Sequence, residues 1–195
     1  MGQYYNSVLK TKNGDLMAFY NYGLKLMEHS YFNNSYVNAV CEFLAEEAHY
    51  VAWIGDYADD DSKMASFRLH NANKAKQLDC DNGFTTFGMV LVNHSKREFL
   101  IMRDYYCKNF AAYVKDGHVD GWVIHPLPLL TCKGNGRGGG DYRGINQDQV
   151  GIWAEDLLEF IPLTHLEWNY QTKKYKVRGS EYEYKEVMFE FRERS

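Results

Sequence analysis

The chain has 195 residues and a net charge of −4, from 22 basic and 26 acidic side chains. Its hydrophobic and charged fractions, 45% and 25%, are those of a folded globular domain, which excludes disorder and a coiled coil. No apolar run approaches 18 residues, which excludes a transmembrane helix, and the acidic balance argues against a protein that coats nucleic acid.

At about 150 residues per domain, the length predicts a single domain over 1–195. The N-terminus, Met1-Gly2-Gln3-Tyr4-Tyr5, has neither a basic stretch nor an apolar core, so no secretory signal and a cytoplasmic location are expected. Charge is uneven: residues 1–62 carry a net −6 and the remainder +2, which predicts one acidic face. Aromatic residues make up 16%, led by 16 tyrosines, a bias that fits strands and contact surfaces. Cys41, Cys80, Cys107 and Cys132 form no close pair, so reduced thiols are expected rather than a zinc site.

Along the chain, Gln3 to Leu9 reads as a strand, Asn13-Gly14 as a two-residue hairpin turn, and Leu16 to Tyr20 as the returning strand. Residues 34–48 predict a helix capped by Asn34 or Ser35, with Val37, Val40, Cys41, Leu44 and Ala48 on one face. Tyr50 to Ile54 is a buried strand that Gly55 ends. Ser62 caps a second helix from Lys63 to about Leu78, anchored by Met64, Phe67 and Leu69, and Asp81-Asn82-Gly83 turns the chain. Phe87 to Val92 and Glu98 to Met102 form a hairpin around Asn93–Lys96. Residues 104–114 fit helix and strand equally. Trp122 to Ile124 reads as a strand stopped by His125-Pro126-Leu127-Pro128.

A glycine-rich loop spans 133–144, and Val150 to Ile161 is apolar with an acidic interruption. The tail, 163–195, reads as hairpins: Leu166 to Tyr170 and Tyr175 to Arg178 flank a turn. Over Glu181–Arg192 the alternation changes phase, with Tyr182 and Tyr184 on one face and Val187, Phe189 and Phe191 on the other. A bulge or a change of packing partner near Lys185-Glu186 accounts for that. The fold class is therefore α+β, with a mixed, largely antiparallel sheet and two or three helices.

Two segments could carry chemistry. In Gly134 to Gly140, backbone N–H groups could converge on an anion, with Arg137 and Arg143 adding charge-assisted bonds; Gly136, Gly138 and Gly139 are the candidate cradle. The spacing Gly134-x-Gly136-x-x-Gly139 matches the dinucleotide pattern, but prolines precede it and no helix start follows. A P-loop is excluded because Gly140-Asp141 stands where Lys-Ser/Thr belongs. The second segment, Asp56 to Asp61, places carboxylates after a strand end, and Asp56 and Asp59 are candidates for a divalent metal, although the spacing is not an EF-hand. No cofactor is otherwise implied. His125, beside the loop in sequence, could form an acid–base or nucleophile pair with Asp141 or Cys132.

The segments Gly2-Gln3-Tyr4-Tyr5, Leu24 to His29, Gly55 to Asp59, Leu91 to Phe99 and His125 to Leu130, with Gly134 to Tyr142, resemble a group of hypothetical proteins of gut bacteria and their phages that begin Met-Gly-Gln-Tyr-Tyr. The resemblance spans residues 1 to about 155 and carries no catalytic assignment. It implies a cytosolic setting and a phage accessory protein acting on a host component.

The expectation is a non-enzymatic interaction protein, an inhibitor of a host or defence protein. The alternative is a protein that binds or acts on a phosphorylated small molecule or nucleotide through the Gly134–Gly140 loop. A structural role through the edge strand of the C-terminal hairpins is a third reading, and the oligomeric state is open.

Overall fold

The structure, a computed structural model, describes residues 1–19, 23–66, 84–111, 114–115, 118–119 and 122–192. The N-terminal third holds β1 (Tyr5–Lys10), β2 (Leu16–Phe19), α1 (Leu26–His29), α2 (Ser35–Glu46) and β3 (His49–Gly55). The middle holds β4 (Met89–Asn93), β5 (Glu98–Ile101), α3 (Met102–Ala111), β6 (Val114–Lys115), β7 (His118–Val119), α4 (Pro126–Leu130) and β8 (Cys132–Lys133). The chain continues through β9 (Asp156–Pro162), β10 (Leu166–Asn169), β11 (Lys174–Val177) and β12 (Glu183–Glu186). Ten strands form one sheet in the order β10-β11-β12-β5-β4-β9-β3-β1-β2, with β8 also beside β3, while β6 and β7 pair with each other. The β12–β5 and β3–β8 pairings are parallel and the others antiparallel. The protein is an α+β domain with two longer helices, as composition and pattern predict.

Period-two alternation on the central strands fills two opposite faces. Val51, Trp53, Leu91, Leu100, Leu158 and Phe160 join a core with Val37, Val40, Cys41 and Leu44 of α2 and Met102 and Tyr105 of α3. Between them on the same strands, Val90, Val92 and Phe99 pack with Ile161, Val177 and Tyr184, and Ala52 and Ile54 pack with Val8, Met64 and Ala65. Burial on both faces explains why β3 and β4 read as unbroken apolar runs.

Local chemistry sets the element ends. Asn34 caps α2, its side chain accepting the Val37 N–H at 3.1 Å. Ser62 does the same for Ala65, also at 3.1 Å, ahead of helical residues 63–66. The rest of that predicted helix, Cys80 and the Asp81–Gly83 turn lie outside the described residues. Of the ambiguous 104–114 segment, residues 104–111 belong to α3 and Val114 opens β6, while 112–113 lie outside the described residues. The inward stripe of α3, Met102, Tyr105 and Asn109, includes a polar residue, which weakens the apolar signal.

Three readings are corrected. The first hairpin has a three-residue loop rather than two: Thr11 N–H donates to the Asp15 carbonyl at 2.9 Å, and Gly14, at φ 96°, supplies the left-handed position. Trp122–Ile124 is not a strand, and Ile124 makes only an isolated bridge to Tyr31. The prolines do more than stop a strand there. Pro126 takes the first helical position of α4, where no N–H is needed, and the chain turns out of the sheet. The strand predicted from Phe87 begins at Met89, because Met89 N–H closes a turn onto the Thr86 carbonyl at 2.9 Å.

The phase change in the tail is a change of partner. Glu183 and Tyr184 pair with β11, then Lys185 and Glu186 pair with β5. Tyr184 stays on one face of the sheet, while Phe189 and Phe191 enter the core on the other. Among the described residues no helix is long and apolar enough to cross a membrane.

Candidate functional site

β3 is bordered by β1 on one side. On its other side β9 covers its first half and β8 its second. β8 leads directly into the glycine-rich loop and lays it against the N-terminal segment. Gln3 N–H donates to the Gly139 carbonyl at 3.1 Å, Gly139 N–H to the Met1 carbonyl at 3.0 Å, and Met27 N–H to the Gly140 carbonyl at 3.0 Å. A Cβ on residue 138 would lie 2.4 Å from the Gln3 Cβ, so close approach of two backbones requires glycine there.

The anion at the centre of the loop is the chain's own Asp141. One carboxylate oxygen accepts the Gly138 N–H at 2.9 Å, and the other accepts the Tyr5 hydroxyl at 2.9 Å and the Gln3 amide at 3.4 Å. The Gln3 amide also meets the Tyr5 hydroxyl and donates to the Gly134 carbonyl at 2.7 Å. Asn135 clamps the loop by pairing both backbone groups of Tyr142, at 2.9 and 3.1 Å. Burial, reinforced by Cys132 and Asp141, raises the Tyr5 phenol far above its usual range, so it remains a donor. Burial also pushes the Cys132 thiol up, which keeps it protonated and weakly nucleophilic.

The loop and the aspartate segment do meet. Arg137 donates to the Tyr57 carbonyl at 2.9 Å and to Asp59 at 2.7 Å, with a second bond to the other Asp59 oxygen. This bidentate pair holds Asp59 below the usual carboxylate range. Lys133 binds Asp61 at 2.5 Å and Glu155 at 2.9 Å. Burial pulls the Lys133 pKa down, but the two carboxylates more than offset it and the net shift is upward. These four charged groups of the loop and aspartate segments, with Gly134 and Gly151, line a cleft of about 280 Å³. Asp56 stands apart, accepting the Tyr4 N–H at 3.1 Å, and Arg143 is exposed. Among the described residues no group of three or more His, Cys, Asp or Glu could hold a metal ion.

His125 lies elsewhere. It is fully buried as the N-cap of α4, with Nδ1 accepting the Leu127 N–H at 3.3 Å. Its Nε2 approaches Thr86 Oγ1 at 3.5 Å and Cys41 Sγ at 3.8 Å, and none of these partners belongs to the loop. Burial pulls its pKa down to about 3. His29, which the motif reading passes over, is buried too. Its Nε2 accepts the Trp53 indole N–H at 2.7 Å and its Nδ1 contacts the Lys25 carbonyl at 2.7 Å. Burial pulls its pKa down to about 4.

A second cleft, about 430 Å³, opens on the three-stranded lobe β10–β11–β12. Register places Trp168 opposite Tyr175, and Tyr175 opposite Tyr184, in a cross-strand aromatic row. Trp168 and Tyr175 rings meet edge to face at 4.8 Å, and the Tyr184 hydroxyl is 2.8 Å from His94 Nδ1, whose other nitrogen meets Glu159 at 2.8 Å. The Arg97 guanidinium lies 4.1 Å over the Tyr182 ring. Lys174 pairs with Glu183 at 2.9 Å, but among the described residues no carboxylate pairs with Arg97, Lys173 or Lys185. Tyr170 is 85% exposed and Trp168 41%. Motif reading missed this groove. Its signal was the interleaving of Trp168, Tyr170 and Tyr175 with Lys173, Lys174 and Lys176. Comparison of the chain with protein-family models, with curated proteins and with solved structures finds no match.

Proposed function

We propose that the chain is a non-enzymatic interaction protein whose contact surface includes the C-terminal lobe. The observation that carries this reading is the exposure of Trp168, Tyr170 and Tyr182 beside Arg97, Lys173 and Lys185, which have no carboxylate partner among the described residues. Tyr and Trp provide large contact areas at low side-chain entropy cost, and they dominate binding energy where they occur in interfaces. The resemblance read from the sequence makes the partner a host or defence protein and the chain its inhibitor. Capture from host lysate, followed by size-exclusion of the complex, tests this. The expected result is a stoichiometric protein complex that Trp168→Ala with Tyr170→Ala abolishes without lowering Tm. Failure to find any protein partner overturns it.

The cleft beside the glycine loop supports a second reading, a site for a phosphorylated small molecule, because it brings Arg137 and Lys133 together. An incoming phosphate would have to compete with Asp59 for Arg137 and with Asp141 for the Gly138 N–H. A nucleotide or sugar phosphate bound there at about 100 times its Kd would raise Tm by about 5–11 °C, and Arg137→Ala would remove the rise.

A further inference from the structure

Resting on the reading of the chain as an interaction protein, we infer that the groove of the C-terminal lobe receives an acidic peptide segment of the partner protein. Carboxylates of the segment meet Arg97, Lys173 and Lys185, and its apolar side chains lie against Trp168 and Tyr175. Charge is the first argument. The chain as a whole is acidic, yet three cations around this groove have no carboxylate partner among the described residues. Two glutamates also line the groove, Glu183 paired with Lys174 at 2.9 Å and Glu186, but four cations outnumber them and the lining keeps a net positive charge. An acidic segment is thus attracted here and repelled by the acidic N-terminal third, which fixes where it docks.

Size and shape are the second argument. A volume of about 430 Å³ is within the range of about 300–1,000 Å³ for sites that enclose a few organic groups, so it fits a short segment rather than a domain face. The aromatic rings also favour side chains over nucleobases. The Trp168 ring is set edge to face with Tyr175, and Arg97 already covers the Tyr182 ring, so no run of open parallel faces is offered to successive bases.

Fluorescence anisotropy on the full chain tests the inference with three labelled probes: a decapeptide of alternating Glu and Phe, one of alternating Lys and Phe, and a ten-residue oligothymidylate. The Glu-Phe peptide is expected to bind at least tenfold more tightly than either other probe. Lys173→Glu with Lys185→Glu, at exposed positions and with unchanged Tm, is expected to weaken it at least tenfold more. Equal binding of the Glu-Phe peptide to this variant overturns the inference, as does tighter binding of the oligothymidylate, which would make the groove a nucleic-acid site. Lysate capture with the same variant separates the two levels. If the partner stays bound to the charge-reversed chain, the groove assignment fails and the interaction reading stands. If wild type captures no protein, the wider reading fails whatever the peptide does.

Discussion

Removing the Asp141 side chain leaves the Gly138 N–H and the Tyr5 hydroxyl without acceptors in a region closed to water. Each buried donor left unpaired costs about 1–3 kcal/mol. Asp141→Ala is therefore expected to lower stability by about 2–6 kcal/mol in urea unfolding, and Asp141→Asn by less, because the amide oxygen can still accept from Tyr5. Six glycines in twelve residues looked from sequence like a cradle for an external anion. Glycine spacing alone does not separate a loop that binds a ligand from one that lets two backbones touch. That distinction depends on Gln3 and Lys25, which are distant in sequence and occupy the space a side chain would need. The pairing of Arg137 with Asp59 was hidden for the same reason. Both residues were legible as chemistry-bearing, but not as partners of each other.

At the scale of elements, the caps and periodic stripes were readable because they act over three or four residues. α2 has its predicted cap and its predicted buried face, and the aromatic and β-branched run of β3 is the strand it resembled. Misreadings fall where a neighbour decides. α3 hides its inward face behind Asn109, whose side chain bonds Phe189 and Phe191 backbone groups at 3.4 and 3.1 Å. His125-Pro126 looked like the end of a strand because proline's dislike of ladders and its preference for a first helical turn give the same local signal. α4 also makes a pH prediction. His125 and His29 are neutral in the fold, with pKa values of about 3 and 4 against an ordinary 6.5. Below pH 6.5 the unfolded chain binds protons that the folded one refuses, so stability falls as pH drops towards those values. It is unaffected by either imidazole above pH 6.5. The slope is about 1.4 kcal/mol per pH unit for each imidazole. Comparing urea unfolding at pH 7 and pH 5, His125→Asn keeps a good cap and is expected to halve the loss.

For the whole molecule, the sheet was legible as a class but not as an order. Hairpins such as β4–β5 and β10–β11 join neighbours, and local turns announce them. No local signal could place β9 between β4 and β3, or bring β12 alongside β5 in parallel. The phase change near Lys185 did show that the tail leaves one environment for another. Its destination matters energetically. Phe191 is fully buried against Tyr142, and Phe189 packs on Trp153, both ring pairs near perpendicular. Phe191→Ala is expected to cost about 3–5 kcal/mol, read as a lowered Tm and urea midpoint.

The position of β9 also bears on synthesis. The β1–β3 half and the β4–β5 half of the sheet touch through β9, and about a hundred residues separate the end of β3 from its start. At about 5–20 residues per second, a ribosome needs roughly 5–20 seconds to supply that strand after β3 emerges. During this interval His49, Tyr50 and Val51 lack the strand that will flank them, and their open edge is available to other nascent chains. Yield in a cell should then depend on translation speed across 56–162 and on holding chaperones, more than on the equilibrium stability of the finished fold.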